Sequence, residues 1–338
     1  MKIKGLIIFF TAMVMLTITA CKKNSPSSPT TKKPTDTTVD IYIGGFIFTN
    51  GHTVATYWKN GVATKLADSL SDTQVLAIAV QGNDVYSGGR FRTKNSELVA
   101  AYWKNNTITQ LADTTTLSQV SAIAVNGTDV YAAGVVVDPN NNGVATLWKN
   151  GVATKLADNK AYSSANAIVI SGNDVYVGGF IGQNAVYWKN GVAVTLPYSI
   201  SGTEVSAIAI SGSNIYMVGS TSHANAGICW KNGAVSNLSD NISTGFFSAI
   251  ALQGNDVYIT GPSLTTNGYY LATYWKNGVA TKLPDVNAQS TPLGIAVNGK
   301  NIYVVGTDDA GGAYWKNGSI VSLSTQQTGY YCIVLVQH

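Results

Sequence analysis

VLAIAVQGNDVYSGGRFRTKNSELVAAYWKNNTITQL, residues Val75 to Leu111, contains four short extended runs and the turns between them. Val75 to Val80 is apolar, and Gln81-Gly-Asn-Asp84 is a cluster of turn formers. Val85 to Gly89 is a second extended run. A variable loop leads to Ala101-Tyr-Trp-Lys104, then Asn105-Asn106, then Thr107 to Leu111. No run has a 3.6-residue apolar period, so all four read as strands.

The stretch recurs. Trp-Lys-Asn occurs at Trp58, Trp103, Trp148, Trp188, Trp230, Trp275 and Trp315, and these are the only tryptophans. Their spacing averages about 43 residues, a period that marks an array of equal supersecondary units. Outside the second copy the tripeptide is followed by Gly, and Asn-Gly is a strong hairpin signal because a type I′ turn needs positive φ twice. Asp/Asn-x-Tyr opens the second strand of every copy, at Tyr42, Tyr86, Tyr131, Tyr176, Tyr216, Tyr258 and Tyr303. Four antiparallel strands per unit predict an all-β fold, a seven-bladed β-propeller. The first copy lacks its first strand, while a spare run, Tyr331 to Val336, follows the last. The C-terminal strand is therefore expected to complete the first blade and close the ring, removing exposed sheet edges.

We letter the strands A to D from the centre outward. Strand A alternates small with large residues, as in Ser121-Ala-Ile-Ala-Val125, so the channel-lining positions read as apolar or small. Paired glycines late in strand B (Gly88-Gly89, Gly178-Gly179) are expected to make room for the recurrent Trp, as a structural wedge between blades.

The N-terminus reads as an address. A basic start, Met1-Lys-Ile-Lys4, precedes an apolar segment from Gly5 to Thr19 that is short for a membrane span. Ile18-Thr-Ala-Cys21 resembles the bacterial lipobox, which implies acylation of Cys21. Residues 1–20 are then a lipoprotein signal peptide and 21–38 an acylated cysteine with a Pro/Ser/Thr/Lys linker. The seven-bladed propeller occupies 39–338. The linker reaches at most about 60 Å when extended. Asp36-Thr37-Thr38 resembles a short bacterial O-glycosylation sequon.

Six of the 21 basic residues and one of the 17 acidic ones precede residue 39, leaving 15 against 16. A near-neutral ring argues against a nucleic-acid surface. Apart from Cys21 the cysteines are Cys229 and Cys332, in different blades, so free buried thiols are expected. Antiparallel order puts A–B and C–D turns on one face and B–C and D–A loops on the other. The turn face carries one Lys per blade (Lys59, Lys104, Lys149, Lys189, Lys231, Lys276, Lys316), which reads as solvated hairpin ends or as a surface turned to the membrane.

The loop face varies from blade to blade and is where ligand binding is expected. Candidates are Arg90, Arg92, Lys94, Glu97, Asp138, His223, Tyr269, Tyr270, Asp308 and Asp309. Arg90 and Arg92 are the only arginines, and a guanidinium suits bidentate capture of carboxylate or sulfate. Catalytic chemistry is thinly supplied, with three His and two Glu and no zinc, nucleophile-elbow or phosphate-loop motif. No catalytic residue, metal or cofactor is assigned.

Trp-Lys-Asn-Gly with a later Leu (Trp58 to Leu66), followed by Ala-Ile-Ala in the next strand, resembles the HAF-type extracellular repeats of bacteria across residues 39–338. That resemblance implies location and architecture only. The Gly-Gly doublet with a later Tyr and Trp is similar to kelch repeats, though the Tyr57-Trp58 adjacency departs from their spacing. The expectation is a monomeric, lipid-anchored envelope protein, an outer-membrane lipoprotein facing either the periplasm or the surface. It is expected to bind or scaffold a glycan or protein. The alternative is a polysaccharide-degrading enzyme using Asp138, Asp308 and Asp309.

Overall fold

A computed structural model describes residues 39–66, 71–95, 97–197, 202–221, 226–236, 246–284, 289–323 and 327–338. They form seven four-stranded antiparallel sheets. Blade 1 takes strand A from the C-terminus (Thr328–Gln337), followed outward by Val39–Thr49, His52–Lys59 and Val62–Lys65. Blade 2 runs in chain order, Ser71–Gln81, Asp84–Arg92, Leu98–Lys104 and Thr107–Gln110. Blades 3 to 7 repeat that order, with A strands beginning at Ser118, Ser163, Thr203, Ala249 and Ser290. Each A strand packs on the A strands of the adjacent blades, and that of blade 1 packs on those of blades 2 and 7, so the ring is closed.

The turns form for the reason their sequence suggests. At all seven C–D turns the Asn has φ of 50–53°, and where Gly follows it has φ of 80–86°. In blade 2, Asn106 replaces that Gly, and only Asn105 takes positive φ. Each turn Asn also closes onto strand B. In blade 2, Asn105 Oδ1 accepts from the Val85 amide at 3.0 Å, while Asn105 Nδ2 donates to Asp84 Oδ1 at 3.0 Å. The same pair of bonds recurs in the other blades.

All seven tryptophans are 0–1 % exposed. Trp148 Nε1 donates to the Leu111 carbonyl at the end of the preceding blade (2.9 Å), and Trp188, Trp230 and Trp315 make the same reach to Leu156, Pro197 and Pro284. In these four blades the indole satisfies its one donor across the seam between consecutive blades, whereas the buried Nε1 of Trp103 and of Trp275 has no partner among the described residues. A second staple joins five of the seams. A hydroxyl near the start of strand A (Thr73, Ser118, Ser163, Thr203, Ser290) accepts a strand-C amide of the preceding blade at 2.7–3.0 Å. Cys229 and Cys332 are free and buried.

Of two expectations about the inner strands, one is corrected and one is qualified. The strand-B glycines do not receive a tryptophan. At Gly45, Gly89, Gly134, Gly179, Gly219, Gly261 and Gly306, one per blade, an added Cβ would fall on a backbone carbonyl oxygen. These belong to Gly329, Gln74, Gln119, Ser164, Glu204, Phe246 and Thr291, and all but Phe246 precede a β-bulge in strand-A register. The first glycine of each doublet faces Val of the next blade, as Gly88 faces Val120 and Gly178 faces Val205. The bulge also adds two exceptions, Tyr331 and Asn166, to an inner edge that otherwise reads as apolar or small. Register shifts in six blades leave one strand-A residue unpaired on that edge. These residues are Tyr331, Leu76, Ser121, Asn166, Ser206 and Leu293, of which four are polar.

Candidate functional site

Just loopward of the bulge, six of the blades carry one strand-A residue paired with one strand-B residue at the mouth of the channel. The pairs are Gly329–Phe46, Gln74–Arg90, Gln119–Val135, Ser164–Phe180, Glu204–Ser220 and Thr291–Thr307 in blades 1, 2, 3, 4, 5 and 7. No two pairs are alike, although the flanking sequence is nearly repeated. Here the sevenfold pattern breaks.

Two polar arcs result. In blades 1 to 3, Arg90 donates from Nε and Nη2 to Gln74 Oε1 (3.3 and 3.0 Å) and from Nη1 to Gln119 Oε1 in the next blade (2.9 Å). Gln119 Nε2 in turn donates to Ser121 Oγ at 3.2 Å. Half-buried Tyr331 of blade 1 stands near enough for Arg90's charge to favour its phenolate, though burial still pushes the hydroxyl up. The Tyr331 ring lies 5.8 Å from that of Phe46. Desolvation lowers the Arg90 pKa, yet a guanidinium keeps its proton. Its partners are two neutral amides, and among the described residues no carboxylate pairs with it.

The second arc crosses blades 4 and 5. Glu204 Oε1 accepts from Ser220 Oγ (3.2 Å) and Oε2 from Asn166 Nδ2 (3.4 Å). Asn166 Nδ2 also reaches the Val205 carbonyl at 3.2 Å, and its Oδ1 accepts from Ser164 Oγ at 2.8 Å. Glu204 is half-buried. Desolvation pushes its carboxyl above the usual range, against the lowering effect of Ser220 and Asn166. Blades 2 and 5 stand three places apart in a ring of seven, so Arg90 and Glu204 face the mouth from opposing sides.

The other residues singled out from sequence lie around the rim. Arg92, unlike Arg90, is tied to a carboxylate. Its Nε lies 2.9 Å from Asp72 Oδ2, and Asp72 Oδ1 accepts from the Thr53 amide of blade 1 (3.3 Å) beside His52 Nδ1 at 3.7 Å. Lys94 is exposed, and the Glu97 backbone closes the loop with Thr93. Asp138 accepts from the Asn140 and Asn142 amides, both at 2.9 Å, and from Asn159 at 3.4 Å, so its oxygens shape its own loop. Asp308 does the same for the Ala310 amide at 2.9 Å, and Asp309 is exposed. Tyr269 is exposed and Tyr270 half-buried in blade 6. His223 and Cys21 lie outside the described residues. No group of three metal-ligating side chains occurs among the described residues.

Sequence reasoning passed over Gln74, Gln119, Asn166, Glu204, Ser220 and Tyr331. One signal was available. Aligned on the strand-B glycine, Glu204 and Gln119 fall in the same slot as Gln74, opposite Arg90.

The turn face is built on one plan. Every repeat Lys places Nζ 5.2–5.5 Å from the centre of the strand-B Tyr ring. In five blades the same Nζ pairs with the strand-B Asp at 2.7–2.8 Å. These pairs hold the carboxyls below the ordinary range, Asp40 at about 2, chiefly through Lys59 and then Asn60. Blades 5 and 7 carry Asn214 and Asn301 instead, so Lys231 and Lys316 keep an uncompensated charge among the described residues.

In comparisons with known proteins, no family model matches the chain and no curated protein sequence matches it.

Proposed function

We propose that this β-propeller is a lipid-anchored binding or scaffolding module of the bacterial cell envelope, whose ligand docks on the loop face at the channel mouth. One observation carries the reading. Tyr, Lys, Asn, Trp and the carbonyl-facing glycine repeat in all seven blades and make the ring. The residues at the mouth differ in each blade and bring Arg90, Glu204, Phe46 and Tyr331 to one opening. Repeated residues serve packing, while a unique constellation on a rigid frame is where recognition concentrates. A glycan suits this mouth, with aromatic faces for sugar rings and amide and hydroxyl groups for their hydroxyls.

The lipobox-like Ile18-Thr-Ala-Cys21 supports the anchor, with residues 22–38 as tether. Strand B of blade 1 begins at Val39 beside the turns, so the tether leaves from the face opposite the mouth. A rival reading makes the chain a polysaccharide-cleaving enzyme. Backbone amides engage Asp138 Oδ1 and Asp308 Oδ1, and Asn159 engages Asp138 Oδ2, so that reading rests on Asp138, Asp308 and Asp309, with Glu204 as a further candidate acid. Full-length protein is to be titrated calorimetrically against neutral and charged oligosaccharides, with products followed by chromatography. Binding without product supports the module, whereas turnover favours the enzyme. Labelling with a palmitate analogue, in the wild type and Cys21→Ser, tests the anchor. Labelling that survives the substitution would refute it.

A further inference from the structure

We infer that Arg90 is the receptor for a carboxylate group on an acidic saccharide, held ready by Gln74 and Gln119. The inference rests on the loop-face binding reading and names its ligand class.

The donor count comes first. A guanidinium has five N–H groups. Gln74 Oε1 takes one from Nε and one from Nη2, and Gln119 Oε1 takes one from Nη1. One N–H on each terminal nitrogen remains without a partner among the described residues. The clamp comes from two different blades, so the plane of the guanidinium is fixed before any ligand arrives. Such preorganisation reduces the side-chain entropy lost on binding.

Charge comes second. Arg92, two residues on, has the carboxylate of Asp72 at 2.9 Å, and five of the seven repeat lysines have theirs at 2.7–2.8 Å. Arg90 has only amide oxygens, which orient a cation without neutralising it. A half-buried cation without a counter-charge is costly to keep unless an anion completes it. Glu204 cannot serve, because it belongs to the other arc and is bonded to Ser220 and Asn166.

Surroundings come third and select a saccharide. Phe46 and Tyr331 form a tilted aromatic pair on one flank of Arg90. Phe180, in the same tier of blade 4, stacks on Tyr162 at 5.9 Å with planes 15° apart. The carboxyl and side-chain amide of the Glu204–Asn166 arc suit sugar hydroxyls. A uronic acid unit combines all three needs: a carboxylate, an apolar ring face and hydroxyls.

The test uses full-length protein and three probes, an oligogalacturonate, its methyl ester, and a sulfated neutral oligosaccharide of similar length. The oligogalacturonate is expected to bind at least about tenfold tighter than the ester, the scale of one charge-assisted hydrogen-bonded contact. Arg90→Gln is expected to abolish that preference, so that the acid binds no tighter than the ester. Gln119→Leu, which keeps the charge and loosens the clamp, is expected to lower oligogalacturonate affinity severalfold. A thermal melt of each variant separates loss of fold from loss of contact. If ester and acid bind alike, or if Arg90→Gln keeps the preference, the inference fails and the binding reading stands. Preference for the sulfated probe over the oligogalacturonate overturns the carboxylate assignment. If no probe binds at all, both this inference and its glycan premise are overturned.

Discussion

Gly179→Ala is the substitution whose effect is easiest to work from the geometry. The new Cβ would fall on the Ser164 carbonyl oxygen, 3.0 Å from its carbon and 3.1 Å from the Ala165 Cα. All three atoms are backbone, so no rotamer change relieves the clash. A carbon and a carbonyl oxygen rest at about 3.3 Å or more, so the strands must part by over 1 Å. That shift would break the ladder beside the bulge and lift Ser164 and Asn166 out of their arc. Inserting a methyl into a close-packed site costs about 1–3 kcal/mol, and a clash with backbone alone belongs at or above the top of that range. With an unfolding entropy near 2.1 cal/mol/K per residue, a ring of about 300 residues loses roughly 5 °C in Tm for 3 kcal/mol. Gly172→Ala is the control. Its turn has φ of +61° and nothing within 4 Å of an added Cβ, so only left-handed strain of about 1 kcal/mol remains. Differential scanning calorimetry on both variants decides. Equal melting temperatures for Gly179→Ala and wild type would refute the claim that a carbonyl-facing glycine is required.

Glu204→Gln is expected to gain stability relative to wild type as pH rises. A carboxyl with a raised folded-state pKa stabilises fully below its ordinary value of 4.5 and loses that contribution as pH climbs through the raised one. Melts from pH 4 to 8 should show a flatter curve for the variant. Asp40 has the opposite sign, since its carboxyl is depressed to about 2, so its contribution is present above 3.8 and disappears as pH falls to about 2. Asp40→Asn should reduce acid sensitivity in that window, as read by tryptophan fluorescence, leaving the share of Asp84, Asp129, Asp174 and Asp256. Trp188→Ala, which empties a fully buried seam and strands the Leu156 carbonyl, should cost about 3–5 kcal/mol by urea denaturation. Removal of residues 328–338 should expose both the inner edge of Val39–Thr49 and the seams to blades 2 and 7. The product is expected to aggregate, and a monomeric, cooperatively melting truncation would contradict ring closure.

The fold was legible because its signals are local and repeated sevenfold. Asn-Gly needs only its own φ angles, and Asp-x-Tyr and Trp-Lys-Asn mark strand ends without reference to anything distant. Even so, their partnership was missed, since nothing along the chain says that Asp84, Tyr86, Lys104 and Asn105 converge until strands B and C are paired in register. The mouth was half legible. Arg90 and Arg92 stand out by rarity, but only Asp72, near the start of strand A, distinguishes the arginine with a counter-charge from the one without. Glu204 was passed over because strand A was read as plain alternation. A bulge shifts the phase by one residue, and the glycine that accompanies it lies on the neighbouring strand.

The first blade also has a mechanical consequence. Val39–Thr49 is flanked on both sides, paired with the C-terminal strand over Val39 to Ile47 and with His52–Lys59 over Tyr42 to Thr49. Tension transmitted through the chain before Val39 and directed along this strand strains both ladders in shear, so many bonds must yield together. The same tension applied sideways would part them one at a time. A ring pulled from the mouth while held from the turn face is therefore stressed in its stronger direction. Drag on a bound ligand would be resisted by both ladders before the first blade opened.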